Sequence, residues 1–294
     1  MNKMDSKIKS ILSLIVALFI ATGTSAQTVS IPDTLNGWEQ QWVASLNGSQ
    51  AAYSNWSQGG VSSVSGTGSS VFTLLFRDGK FAYGFRTNLK YGQARINGDG
   101  VRKTDDLISI RNRFTYTFEE DGTLSAYGVI GFKTQFDRGF NYDAKVAGGD
   151  SLISNFMAPG YFNEGIGLAY APTQSFIFEA GLGLKQTIIS DGELAPNYGL
   201  NQGDNFRGEG GLTTGINFEK AIAENILYSS SLETFTNFLI PISETDVAWG
   251  NELVGQINNV VSASFQFELR YDNDFSSEVQ LKQVLSAGVS VNLY

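Results

Sequence analysis

From Phe81 to Tyr91 the chain alternates strictly. Phe81, Tyr83, Phe85, Thr87, Leu89 and Tyr91 share one parity, and Ala82, Gly84, Arg86, Asn88 and Lys90 share the other. Side chains of a strand alternate faces, so this is a strand with an apolar, aromatic-ended side and a small, polar or basic side. The pattern recurs. Ile108, Ile110, Phe114, Tyr116 and Phe118 share a face, as do Val261, Ala263, Phe265, Phe267, Leu269 and Tyr271. Leu281, Leu285, Val289, Val291 and Leu293 repeat it near the end.

Twelve segments carry this alternation: 42–54, 64–76, 81–93, 105–118, 124–137, 160–171, 175–188, 206–219, 226–238, 247–257, 260–271 and 280–294. Each is long enough for the ~9–11 residues of a tilted membrane-crossing strand. The first two are the least regular, which leaves ten or fourteen strands open. Connections between segments alternate short and long. The short ones, such as Arg77-Asp78-Gly79-Lys80 and Pro172-Thr173-Gln174, hold turn-forming residues. The long ones are 55–63, 94–104, 138–159, 189–205, 239–246 and 272–279. An even set of antiparallel strands with short turns at one end and long loops at the other predicts a closed transmembrane β-barrel. The short turns would then face the periplasm. A soluble sandwich or lipocalin-like barrel would carry polar residues on its outer face instead.

The start of the chain fits this location. Lys3, Lys7 and Lys9 precede an apolar run from Ile11 to Ala21, and Thr24-Ser25-Ala26 offers a small-residue cleavage site. The run is shorter than the roughly 20 residues of a spanning helix. Residues 1–26 therefore read as a cleaved secretory signal, 27–41 as a periplasmic lead-in and 42–294 as the barrel. Tyr294 ends the last strand, and a terminal aromatic makes the barrel-assembly machinery an expected partner. Its parity is opposite to that of Val289, Val291 and Leu293, one step out of phase with the usual spacing.

Composition narrows the functional classes. The chain has 33 Gly, 21 Phe and 12 Tyr among 294 residues, which suits long twisted strands. It has no Cys and no His, which removes disulfides, thiolate chemistry and any Ser-His-Asp triad. No other catalytic constellation is recognisable, so no enzyme, cofactor or resident metal is expected. The net charge is −9, and it falls by two more once residues 1–26, with three Lys and one Asp, are gone. A basic nucleic-acid footprint is absent. Asn97, Asp99, Asp105 and Asp106 carry oxygen ligands but miss the calcium-loop spacing, so they read as a turn-rich external loop. Gly165-Ile166-Gly167 and Gly181-Leu182-Gly183 read as inward strand glycines rather than phosphate loops.

Several stretches resemble an uncharacterised family of outer-membrane barrels of the Bacteroidota, described only as a domain of unknown function. They are Ser54-Asn55-Trp56-Ser57-Gln58-Gly59-Gly60, Lys103-Thr104-Asp105-Asp106, Ile153 to Tyr161, and Trp249-Gly250-Asn251-Glu252, together with the strand around Gly288. The resemblance runs over most of the chain after the signal. It implies a barrel in the outer membrane of a Gram-negative cell and supplies no ligand or catalytic residue.

Inward parity defines the candidate functional residues. Arg86, Lys90, Arg111, Arg113 and Lys133 form a basic wall on three consecutive strands. Glu233, Glu252 and Glu268 form an acidic wall on three later ones, with Glu179, Lys185, Arg207 and Glu209 between them. Two functions follow. One is a porin-like passive channel for small solutes, selecting by charge across a polar lumen. The other is a structural or surface-interaction barrel whose lumen is plugged by ion pairs and whose function lies in its external loops.

Overall fold

The alternating segments form one cylinder. In the computed structural model, which describes residues 29–51, 63–96, 98, 100–119, 122–146, 149–274 and 276–293, twelve antiparallel strands close on themselves. They begin with β1 (Gly37–Ala51), β2 (Ser63–Asp78), β3 (Phe81–Ile96), β4 (Gly100–Thr117) and β5 (Leu124–Thr134). A separate hairpin follows, β6 (Gly139–Val146) and β7 (Gly149–Ser154). The wall resumes with β8 (Gly160–Thr173), β9 (Phe176–Ile188), β10 (Phe206–Ala223) and β11 (Ile226–Asn237). It ends with β12 (Asp246–Gln256), β13 (Val261–Asp272) and β14 (Ser276–Asn292). Each strand pairs with its sequence neighbour in the wall, and β1 meets β14 to close the ring, Val43 opposite Asn292 and Gly48 opposite Ala287.

Closure is what makes an apolar outer face tolerable, because no strand edge is left with unpaired amides. The outer face carries a broad apolar band: Ile166, Leu168, Leu182, Leu184 and Leu212 lie side by side across β8, β9 and β10, each half to two-thirds exposed. Such a continuous patch is far beyond what a water-facing surface carries. Aromatic pairs stand towards the turn end, with Trp38 against Phe76 at 4.6 Å and Tyr83 against Phe114 at 5.1 Å between ring centroids. Phe132 against Phe162 at 4.7 Å stands towards the loop end. Polar groups on the outer face satisfy one another sideways: the Tyr83 hydroxyl donates to Asn112 and the Tyr228 hydroxyl to Asn251.

The strand count and the alternation of connections agree with the sequence pattern. Several boundaries differ. β1 starts at Gly37, five residues before the expected Trp42, because Gly37–Gln41 pair with the turn end of β2 from Thr73 to Arg77. β14 starts at Ser276, four residues before the expected start. The stretch 138–159 is not a plain loop; it carries the β6–β7 hairpin. The stretch 189–205 holds a 3-10 turn, Gly192–Tyr198, started by Asp191, whose side chain accepts from the Glu193 amide. Ala158, Ile189, Leu194, Ala195, Tyr198 and Leu200, with Leu152 against them, form a small apolar core that ties these two loops together. Burial raises the pKa of the Tyr198 phenol there, and its hydroxyl donates to the Ile153 carbonyl. The proposed signal segment 1–26, the Ser54–Gly60 motif, Asn97, Asp99 and Tyr294 lie outside the described residues.

If the outer face meets hydrocarbon, Leu182→Arg should lower the unfolding free energy in lipid vesicles by about 2–4 kcal/mol, as a cation near the midplane does. Denaturant titration of the refolded protein checks this. A change under about 0.5 kcal/mol, typical of a solvated surface site, would contradict the membrane-facing assignment.

Candidate functional site: the charged lumen

The lumen is built from the second parity of every strand, and it changes character along its axis. At the turn end it is filled by the chain's own lead-in. Val29 is almost fully buried, packed over Gly84 of β3. A side chain at position 84 would put its Cβ 2.4 Å from Val29 Cγ1, so only glycine leaves room. Arg77 at the end of β2 clasps the same segment. Its Nε donates to the Pro32 carbonyl at 3.0 Å, and its Nη2 to the Ile31 carbonyl at 3.2 Å and Asp33 Oδ1 at 2.9 Å. A cavity of about 90 Å³ lies beside this segment, lined by Arg86, Asn217, Glu219 and Ser231.

Above it a layer of charge crosses the barrel. Arg86, Arg113, Glu179 and Glu252 are only 8, 5, 6 and 3 % exposed. Arg113 of β4 reaches Glu179 of β9 at 2.5 Å and stacks over the Tyr127 ring at 4.9 Å. Glu252 accepts from Gln266 Nε2 at 2.8 Å. The charges acting on Arg86 are those of Glu219 and Glu252. Inward glycines make this density possible: a Cβ on Gly167 or on Gly181 would lie 2.9 Å from the Tyr127 hydroxyl. Of the two glycine pairs singled out in the sequence, Gly167 and Gly181 thus make room for the Tyr127 hydroxyl, while Gly165 and Gly183 make room for Val129 and Thr213.

The middle of the lumen holds a chamber of about 320 Å³. Arg111 of β4 spans it to Glu233 of β11, 3.2 Å away, five strands around the ring. At the loop end a larger cavity of about 540 Å³ opens under the β6–β7 hairpin and Tyr198. Its charges are mixed. Lys90 and Lys282 both face Asp105, at 3.8 and 3.2 Å, and Arg270 Nε meets Glu268 at 2.5 Å. Lys185, which lines the middle chamber instead, is held by Asp246, Asp272 and Asp274 at 2.6, 3.1 and 3.5 Å. Arg207 bridges Glu209 and Asp274 at 3.1 and 2.6 Å. Outside the wall, the Arg138 amide and the Tyr91 hydroxyl hold the Asp137 carboxyl below its ordinary range.

All eight residues expected to line the lumen carry inward parity. The structure joins one pair across the two proposed walls, Arg111 with Glu233. Arg113 turns to Glu179, Lys90 to Asp105 and Glu268 to Arg270 of its own strand, so these three pairs do not run between the two walls. Lys133 makes no ion pair or hydrogen bond among the described residues. Asp105 and Asp106 of the calcium-like stretch are engaged by cations: Asp105 as above, and Asp106 by Lys103 at 2.7 Å. Sequence reasoning passed over Arg270 and Lys282, although both share the inward parity of Glu268 and Gln280. It also missed Arg77 and the docking of the lead-in inside the barrel, for which the alternation gives no signal.

These features define a closed β-barrel with a charged, partly occluded interior. The profile of a protein family of unknown function, DUF3078, matches residues 49–140, from the end of β1 to the start of β6. That span includes the Ser54–Gly60 and Lys103–Asp106 motifs but stops short of the three later stretches. No curated protein matches the chain. Among solved structures, the translocator domain of autotransporter NalP from Neisseria meningitidis is 12 % identical, with 98 % of this chain and 95 % of that one covered and a TM-score of 0.41. The COG4313 outer membrane channel from Pseudomonas putida F1 is 8 % identical, with 93 % and 98 % covered and a TM-score of 0.42. The KdgM porin is 8 % identical, with 85 % and 97 % covered and a TM-score of 0.35. At these identities and scores none of the three bears on what this chain carries.

Breaking one half of the Arg113–Glu179 pair leaves a buried charge without its partner. Arg113→Met should cost about 3–5 kcal/mol of unfolding free energy, and Arg113→Met with Glu179→Leu should recover most of it. Denaturant midpoints of the folded, heat-modifiable protein decide. Equal losses in the single and double variants would contradict the pairing.

Proposed function

We propose that this chain is a passive outer-membrane channel for small polar solutes, open to the exterior and closed at rest near its periplasmic end. The observation that carries the reading is the stacking of two charged cavities, about 540 and 320 Å³, above a buried ion layer and a docked lead-in. The apolar outer face, the secretory character of residues 1–26 and the resemblance to outer-membrane barrels of the Bacteroidota support the location. The loop end faces outside on this reading because the five short turns and the lead-in share the other end. Solute enters between the long loops, exchanges water for the mixed charges of the wall, and reaches the Arg113–Glu179 floor. Onward passage needs two displacements: rearrangement of that floor, and withdrawal of Val29–Asp33 from Gly84 and Arg77.

A second reading is favoured by the same floor. Four charged groups at most 8 % exposed are what a permanent plug would contain. The loop core around Leu194 and Tyr198 would then be a rigid platform for surface interaction.

Planar-bilayer recording of the refolded full chain separates the two. Loss of the charge-assisted bonds from Arg77 to the lead-in removes about 1.5 kcal/mol or more, so Arg77→Ala should raise open probability about tenfold. Adding Arg113→Ala and Glu179→Ala should raise it further. If the folded triple variant passes no current, the barrel is a plug and the channel reading falls.

A further inference from the structure

The two upper cavities share only four lining residues: Lys133, Tyr161, Arg270 and Asp272. These four form a collar where the cavity under the loops adjoins the middle chamber. Lys133 and Tyr161 are direct cross-strand partners on β5 and β8. Arg270 and Asp272 come from β13, six strands from β5 around a ring of twelve. The collar therefore draws on diametrically opposite walls.

Its charges do not cancel. Lys133 and Arg270 outnumber Asp272 by one charge, and Asp272 bonds Lys185 at 3.1 Å, a lysine it shares with Asp246 and Asp274. The carboxylates that act on Lys133 are Glu268 and Glu233. Glu268 is held by Arg270 and Glu233 by Arg111. Lys90 and Lys282 share Asp105, and Lys103 takes Asp106. Among the described residues, Lys133 is thus the inward cation of the upper lumen with neither a hydrogen bond nor an ion pair. The Tyr161 hydroxyl likewise has no hydrogen-bond partner among them. Arg270 is 40 % exposed in its side chain and gives Nε to Glu268, which leaves the rest of its guanidinium turned to the cavity. Two donors, the Lys133 ammonium and the Tyr161 hydroxyl, face the passage without a hydrogen-bond acceptor among the described residues, and the free edge of Arg270 stands beside them. A cation turned into a confined lumen is stable only when something supplies the opposite charge.

We propose that this collar is a binding site for small organic anions, with a solute carboxylate received by Lys133, the Tyr161 hydroxyl and the free edge of Arg270. A planar carboxylate suits a guanidinium edge and an ammonium together, since both bond through short charge-assisted contacts. The rest of the solute lies in the middle chamber, where a volume of about 320 Å³ sets an upper limit near the size of a small metabolite. The inference rests on the channel reading for its biological sense, since it names the solute class. The site itself needs only an entrance from the loop end.

Isothermal titration of the refolded full chain in detergent, with succinate as probe and inorganic phosphate as comparison, tests it. Wild type is expected to bind succinate saturably at one site. Lys133→Met should weaken binding about tenfold or more, the effect of losing one charged hydrogen-bond donor. Lys133→Arg should retain it and Tyr161→Phe should weaken it less. Phosphate binding as tight as succinate would replace the carboxylate assignment with a general anion site and overturn the stated ligand class. Absence of saturable succinate binding, or equal affinity in wild type and folded Lys133→Met, would overturn the site. Bilayer recordings fail separately: succinate binding without current leaves the site and removes the channel, and current without succinate binding does the reverse.

Discussion

The barrel wall depends on one constraint, that a strand facing hydrocarbon cannot leave an amide or carbonyl unpaired. The pairing of β1 with β14 satisfies the last edge. Once the ring is closed, alternation does the rest. One parity must be apolar, and it supplies the belt of Leu, Ile, Phe, Trp and Tyr around the outside. The other parity is enclosed in a cylinder that no apolar core fills. Twelve strands make that interior too wide for side chains to fill it with small apolar groups and too narrow for a broad aqueous pore. Long charged side chains reach across it, so the packing of this protein's centre is ionic.

An ionic interior has consequences that an apolar one does not. Each inward charge must find a partner, and the partners come from distant parts of the sequence. Arg111 meets Glu233, and Lys282 meets Asp105, over separations of 122 and 177 residues. These pairs stiffen the cylinder across its diameter where the wall alone only links neighbours. They also divide the lumen. Where both partners are deeply buried, as at Arg113 and Glu179, side chains fill the lumen. Where the side chains stand at the margin of open space, as at Arg270 and Lys282, a cavity remains.

Much of the wall was legible in the sequence because period-two alternation is imposed directly by lipid on one side and polar contents on the other. All twelve strands and the short–long rhythm of their connections could be read from it, and so could the inward parity of Arg86, Arg111 and Glu252. The identity of the ion pairs was not legible. Parity fixes which way Arg113 points but not that it bends towards Glu179 rather than Glu233, because that depends on stagger between strands far apart in the chain. The β6–β7 hairpin escaped for a different reason: beyond the membrane nothing imposes alternation, so a loop that pairs with itself looks like any other. The lead-in was legible but its docking was not, because that depends on the absence of a side chain at Gly84 and on the reach of Arg77, neither of which marks residues 29–33 themselves.

The central claim is that the lumen is open from the loop end down to the Arg113–Glu179 floor and closed below it. A membrane-impermeant maleimide applied to intact cells tests this with two single-cysteine variants, Val284→Cys in the upper cavity and Ser231→Cys beside the lower one. The account predicts rapid labelling at position 284 and none at position 231 until the protein is denatured. Equal labelling at both would mean a pore open at rest, and no labelling at 284 would mean that the upper cavity is not reached from outside.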